Sequence, residues 1–358
     1  MMTEPHEFIT ERAGDLLADD VEALVNTVNT VGVMGKGIAL QFKRAFPENF
    51  KAYQAACKRG EIRLGQVQVV STGRLTENPR YIINFPTKNH WRSKSKLSDI
   101  RDGLIDLVDR IQDLGIRSVA VPPLGCGNGG LRWSDVRPLI IDVLSELSDV
   151  EVHLFAPEGA PASAEMKTAT NRPPLTRVRA SIIAALDGYI GPFGLGATPI
   201  EVQKVAYFLE RFGEPLDLRF AKARYGPYSE RLTHVIENLE GHYVSGFGDR
   251  SLPVAEAEPL RILDSSLSAV ESYLADESVV RGNVTSTLRL LDGFDSAYGT
   301  ELLSTVDWAM TQEGARSEGE VISIIESWNL RKARMFTRTH ISRALEQLQT
   351  FELIDQTA

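Results

Sequence analysis

Between Pro157 and Leu175 the chain reads PEGAPASAEMKTATNRPPL, and no apolar period survives there. Pro, Ala, Ser, Thr and Gly dominate, a composition that gives neither a helix nor a strand a face to bury. The break splits 358 residues into two stretches with different patterns. Two domains agree with the roughly 100–200 residues that one domain holds. The sequence therefore predicts one domain over 1–157, a linker over 158–175 and a second domain over 176–358.

The first stretch alternates strand and helix signals. Short β-branched runs stand at Phe8–Ala13, Ala23–Asn29, Val67–Ser71, Tyr81–Phe85, Ser118–Pro122 and Val152–Phe155. Helical patterns fill the gaps at Gly37–Phe46, Asn49–Arg59, Leu97–Leu114 and Ser134–Leu147, with Ser134 the expected N-cap. Alternation of this kind predicts an α/β layered domain with a mixed sheet. The second stretch reads as mainly α-helical: Val178–Leu186, Pro199–Phe212, Ser229–Leu239, Ser265–Leu274, Asn283–Leu291, Thr300–Gln312, Glu318–Trp328 and Arg338–Phe351. A small hairpin is expected near Gly241–Val254. The last two helices, joined by NLRKARMF, read either as a helix-turn-helix or as two packed helices with a basic connector.

Charge is unevenly spread. Residues 1–157 carry 19 Lys+Arg and 20 Asp+Glu, so most of the net −9 lies beyond them. Residues 251–327 hold four bases against fourteen acids. The overall balance argues against a protein that coats DNA. Two cysteines, Cys57 and Cys126, make no disulfide framework and suggest a reducing compartment. Six histidines, none spaced three or four apart, and no C-x-x-C argue against a metal site. No apolar run is long enough to span a membrane, and the polar, acidic N-terminus does not read as a signal peptide. A cytoplasmic protein with no cofactor and no membrane partner is the expectation.

Two glycine loops carry the chemistry. PPLGCGNGG (Pro122–Gly130) follows a strand and precedes a helix, so its backbone N–H groups can face an anion near a helix N-terminus. It also formally satisfies G-x-G-x-x-G, but it lies too late in the domain for a dinucleotide fold. TVGVMGKGIA (Thr30–Ala39) repeats the arrangement after the strand ALVNTVN. Two such loops can grip one phosphate-containing ligand from both sides. Asp15 ends the first strand, either as an ordinary N-cap or as an acceptor for an exocyclic amine. Asn26 and Asn29 on an apolar strand either tie loops together or address a sugar. Lys88 closes the strand YIINFPTK, and a lysine held against an anomeric carbon can act as nucleophile. In Lys88–Lys96, bases interleave with His90 and Trp91, a pattern suited to single-stranded nucleic acid. His90, Trp91 and Arg92 are the expected DNA contacts.

In order along the chain, GDLL, LVNTVNT running into VGVMGKGIA, NFPTK, and PPLGCGNGGLRW together resemble a macrodomain. More narrowly they resemble the DarG antitoxins, which are DNA ADP-ribosyl glycohydrolases. Related features occur in the human terminal ADP-ribose protein glycohydrolase. The likeness covers about residues 7–157 and implies a three-layer α/β/α fold that binds ADP-ribose. By motif position it implies that Asp15 meets the adenine amine. It places Gly125, Cys126, Gly127, Asn128, Gly129 and Gly130 around the diphosphate. Asn29 with Gly35, Lys36, Gly37, Ile38 and Ala39 would surround the distal ribose, and Lys88 would be the catalytic lysine. One departure matters: the human relative has a catalytic aspartate where Gly129 stands here.

The resemblance further implies that residues 176–358 bind a DarT-like ADP-ribosyltransferase toxin, an enzyme that modifies thymine in single-stranded DNA. The acidic segment adds an independent reason, because it can imitate phosphates in a basic groove. The expected reaction is removal of ADP-ribose from thymine in single-stranded DNA, with Lys88 either attacking the ribose C1″ or orienting substrate and water. Two rivals predict different chemistry: a reader that binds ADP-ribose without cleaving it, and a regulator that binds DNA through the terminal helices.

Overall fold

A computed structural model describes residues 8–157, 159–192 and 194–354. The chain forms two compact units, one of residues 1–171 with Asp249–Ser251, the other of residues 172–248 and 252–358.

The first unit is built on a six-stranded sheet. Its strands are β1 (Ile9–Arg12), β2 (Ala23–Asn29), β3 (Gln68–Ser71), β4 (Tyr81–Lys88), β5 (Ser118–Val121) and β6 (Glu151–Phe155), in the order β1-β6-β5-β2-β4-β3. All neighbours pair in parallel except β3 with β4, so the sheet is mixed. The helices are α1 (Ile38–Ala45), α2 (Pro47–Lys58), α3 (Leu97–Leu114) and α4 (Trp133–Leu144). β2 shows why there are three layers. Ala23 and Val25 pack into the core that holds Leu104 of α3 and Ile140 of α4. Leu24 turns the other way against Phe42 of α1, and Val28 against Tyr53 of α2. Successive residues of a strand face opposite sides, so a central strand covered by helices on both faces is apolar throughout.

Two details differ from the sequence reading. Ser134 does not cap α4: the helix starts at Trp133 with Arg132 at the N-cap position, and the Ser134 hydroxyl meets Asp135 at 3.3 Å. The Arg132–Asp135 ion pair (2.9 Å) closes the first turn instead. Residues 159–171 lie with the first unit: Lys167 Nζ donates to the Leu17 carbonyl (2.6 Å), and the Ala169 N–H to that of Arg44 (2.9 Å).

The second unit contains α5 (Arg177–Ile190), α6 (Pro199–Arg211), α7 (Glu230–Leu239), α8 (Asp264–Leu274), α9 (Ser278–Leu291), α10 (Ala297–Thr311), α11 (Glu318–Trp328), α12 (Leu330–Met335) and α13 (Arg338–Thr350). Thr198 and Glu201 form a reciprocal capping box at α6, with Pro199 at its first turn. α10 sits at the centre, with residues 299–307 all buried. The expected hairpin near 241–254 is replaced by β9 (Val244–Ser245) paired with the later β10 (Arg261–Ile262). A second hairpin, β7 (Ala221–Ala223) with β8 (Gly226–Tyr228), has no counterpart in the sequence reading. The connector NLRKARMF is not a simple turn. Asn329 is extended, ends α11 and caps α12 by accepting from the Lys332 N–H at 2.9 Å. Among the described residues no helix is long and apolar enough to cross a membrane.

Candidate active site

The C-terminal ends of β2, β4 and β5 bring three loops together, the place where open parallel sheets hold ligands. In the β2–β4 ladder Asn29 is the partner of Lys88, just past an irregularity at Val28/Asn29. Thr30 donates to the Asn89 carbonyl through its N–H (3.3 Å) and its hydroxyl (2.8 Å), tying the first glycine loop to the end of β4. The two glycine loops also meet. A methyl group on Gly37 would sit 3.4 Å from the Asn128 side-chain nitrogen.

Lys88 closes this triangle. It is 9% exposed, and its Nζ donates to the Asn128 main-chain carbonyl at 2.8 Å. No carboxylate pairs with it among the described residues, and burial pulls its pKa below the ordinary lysine range. A lysine in that state reaches the neutral amine at lower pH than a solvated one.

The Pro122–Gly130 loop divides its glycines between two jobs. Gly125 and Gly129 are packed shut. A methyl on Gly129 would lie 2.3 Å from Ser95 Oγ and 2.4 Å from the Gly125 carbonyl. Such contacts forbid any side chain, so an aspartate cannot stand at Gly129 with this loop shape. Gly127 and Gly130 instead border open space, with no atom within 4 Å of an added methyl. With exposed Asn128 they leave the main chain open to an anion. Burial pushes the Cys126 thiol up to about 11, so it stays protonated near neutral pH.

The remaining predicted residues fall as follows. Asp15 accepts from the Leu17 N–H at 2.9 Å and caps a single 3-10 turn, Leu16–Ala18. Asn29 is occupied by its own loop: Nδ2 donates to the Val33 carbonyl (2.5 Å), and Oδ1 accepts from the Val31 N–H (2.9 Å) and the Tyr53 hydroxyl (3.2 Å). Asn26 is fully buried and donates to Asn84 (3.0 Å), joining β2 to β4. In the first loop Gly35, Ile38 and Ala39 are half-buried, Gly37 is buried at the start of α1, and Lys36 is exposed. His90, Trp91 and Arg92 form an exposed stack two residues beyond Lys88. The Arg92 guanidinium lies 4.3 Å over the indole, and the His90 ring is 5.1 Å from it.

Sequence reasoning missed two supports of the site. Tyr53 is buried under the first loop and donates to the Asn29 carbonyl at 2.6 Å. Ser95 is buried against the second loop, and its N–H donates to the Gly129 carbonyl at 3.0 Å. An open groove of about 630 Å³ lies elsewhere, among Leu17, Asp20, Phe46, Arg74, Pro79 and Lys167. It adjoins the starting ends of β2 and β4 and contains none of the predicted site residues.

A mixed sheet flanked by helices, with two glycine loops meeting at its carboxyl end, defines the first unit as a macrodomain; residues 25–140 match the Macro domain family. Over 94% of its length the chain is 46% identical to the DNA ADP-ribosyl glycohydrolase of Thermus aquaticus, covering 91% of that protein. The chain belongs to the DNA ADP-ribosyl glycohydrolase family. The solved macrodomain of Mycobacterium tuberculosis DarG is 59% identical over 42% of this chain and 98% of that one, with a TM-score of 0.41. A DNA ADP-ribosyl transferase–DNA ADP-ribosyl glycohydrolase fusion protein of Thermosipho africanus is 36% identical over 40% of each chain.

Proposed function

We propose that this chain is the antitoxin of a DarT/DarG pair and releases ADP-ribose from thymine in single-stranded DNA. The observation that carries the catalytic half is Lys88: buried, unpaired with any acid among the described residues, and set where both glycine loops meet. In this reading the Gly125–Gly130 loop holds the diphosphate, the Gly35–Ala39 loop with Asn29 faces the distal ribose, and Asp15 keeps one oxygen for the adenine amine. The neutral Lys88 amine adds to C1″ while the bond from C1″ to the thymine nitrogen breaks. Thymine leaves as a delocalised anion and is protonated. Water then displaces the amine and frees ADP-ribose. Lys88 needs no loop acid for the first step, which agrees with the closed packing at Gly129. The exposed Trp91 stack receives a neighbouring base, worth about 1–3 kcal/mol for a base on an aromatic ring.

The second half of the reading assigns residues 176–358 to capture of the transferase. The fusion of the two activities in the Thermosipho protein supports a paired transferase. Ten of the fourteen acids in 251–327 are exposed, Glu277 and Glu318 are half-buried, and only Glu301 and Asp307 are buried. Exposed carboxylates in this number suit a basic DNA-binding groove.

The test is release of ADP-ribose from a single-stranded oligonucleotide modified on one thymine, comparing wild type with Lys88→Ala and Trp91→Ala. Release by wild type, little by Lys88→Ala and a raised KM for Trp91→Ala are expected. Tight ADP-ribose binding without release by wild type makes the protein a reader and overturns the proposal.

A further inference from the structure

The second unit is acidic as a whole, yet two of the stretches that hold bases and no acids lie together in the fold. Residues 219–225 carry Arg219, Lys222 and Arg224, and residues 329–343 carry Arg331, Lys332, Arg334, Arg338 and Arg343. About 105 positions separate them in sequence, and the fold puts them side by side. The Trp328 indole N–H donates to the Ala223 carbonyl at 2.9 Å, and the Asn329 amide to the Arg224 carbonyl at 3.1 Å. Arg331 lies 4.8 Å over the Tyr225 ring and Lys222 lies 4.4 Å over Trp328. Arg224 and Tyr225 are the two-residue tip of the β7–β8 hairpin. Asn329 and the first turn of α12 stand beside that tip.

Not every base is available. Lys332 is fully buried on Glu301, Arg331 is held by the same carboxylate at 2.7 Å, and Lys222 pairs with Glu313 at 3.0 Å. Arg224, Arg334 and Arg338 are exposed and form no ion pair among the described residues. The Arg224 guanidinium lies 5.4 Å over the Tyr225 ring, which holds it in place while its N–H edges stay open, an arrangement that matches phosphate oxygens.

We infer that this composite surface is a duplex-DNA backbone site, separate from the hydrolase site of the first unit. Charge selects the occupant: exposed arginines without counter-ions, close to one hairpin inside a unit otherwise rich in carboxylates, attract a polyanion there. Shape selects the duplex. A two-residue hairpin tip is narrow enough for a minor groove about 6 Å wide, with the basic α12 segment beside it to meet a flanking phosphate strand. The rings of Tyr225 and Trp328 are half-buried, unlike the exposed Trp91, so they are poor platforms for splayed bases.

The experiment uses the full chain. A labelled unmodified duplex is titrated with wild type and with the combined Arg224→Gln, Arg334→Gln, Arg338→Gln variant at several salt concentrations. Wild type should bind with an affinity that falls steeply between about 50 and 200 mM salt. The variant should bind at least tenfold more weakly at low salt, with a salt slope shallower by about 2–3. Its release of ADP-ribose from the modified oligonucleotide should not change, and a His90→Ala, Trp91→Ala chain should keep duplex binding. No salt-dependent duplex binding by wild type overturns the inference, as does an unchanged variant. Preference for a single strand of the same length overturns the duplex assignment. Lost toxin capture with duplex binding intact gives the surface to the protein partner instead.

Discussion

Each unit buries a lysine, and the two are surrounded in opposite ways. Lys332 is fully buried, with Nζ 2.6 Å from Glu301, 2.9 Å from the Thr305 hydroxyl and about 5 Å from the rings of Trp328 and Phe336. Lys88 is buried less completely and meets one main-chain carbonyl and no acid among the described residues. Burial lowers the pKa of both. For Lys332 the Glu301 carboxylate pulls back up, leaving it at about 8. The difference is one of purpose: a buried lysine with its own carboxylate is a completed interaction inside a core. A buried lysine without one, bordered by open glycines, keeps its reactivity for something that arrives. Burial alone therefore does not mark a functional lysine; under the proposed function, the missing counter-ion and the adjacent space set Lys88 apart.

Exchanging partners would break this comparison. Lys88→Ala should fold normally and lose about 10²–10⁴-fold in ADP-ribose release, the range of a positioned catalytic group. Normal turnover in that variant would remove Lys88 from the chemistry. Glu301→Gln should leave turnover unchanged but destabilise the second unit by about 3–5 kcal/mol, because it strands buried Lys332 without its charge partner. Urea unfolding followed by amide exchange in α10 and α12 measures it, and a loss under 1 kcal/mol would sink the contrast. Gly129→Ala comes next. Its methyl meets Ser95 Oγ and the Gly125 carbonyl well inside contact distance, and overpacking of this kind costs about 1–3 kcal/mol. Shifting the loop carries away the Asn128 carbonyl that holds Lys88, so calorimetry should show weaker ADP-ribose binding. Gly127→Ala, which faces open space, should leave folding untouched and act only through the ligand.

Much of the first unit was legible because its strands are continuous β-branched runs and α3 keeps a strict helical stripe. All six strand expectations fall on observed strands, with ends that differ by a few residues. The β7–β8 hairpin was invisible for a physical reason: AKARYGPY is short, mixed in polarity and lacks alternation. α12 was missed because LRKARM has no apolar stripe of its own and buries Lys332 instead. At the site, glycine spacing marked the loops, since main chain open to an anion needs glycine. Ser95 was hidden because a serine among lysines and an arginine reads as solvent-facing. Only the fold shows it packed against Gly125 and Gly129. Asn128 was legible as a loop residue. That its carbonyl, not its side chain, receives Lys88 depends on three-dimensional register between β4 and the loop.

The smallest expected effect concerns a third lysine, which lies between the two cases. Lys204 of α6 is buried and donates to the Pro227 carbonyl at 2.5 Å, with no carboxylate of its own. Burial first, then the nearby Lys332 charge, brings it down to about 7. Unlike Lys88 it faces a packed core, so its lowered pKa has a consequence for stability and none for catalysis. Between about 7 and the unfolded value of 10.5 the unfolded chain binds a proton that the folded unit does not. Stability of the second unit therefore rises with pH across that window, by at most about 1.4 kcal/mol per pH unit. Below pH 7 both states are protonated and this contribution flattens. Lys204→Met removes this titration, so the pH slope of amide exchange in α6 and α10, corrected for intrinsic rates, should fall to the part that Lys332, lowered to about 8, contributes with the same sign. Exchange in β2 and β4 of the first unit should be the same in both proteins. A slope unchanged in Lys204→Met would show that Lys204 is charged throughout, and that the carbonyl of Pro227 suffices to hold a buried ammonium.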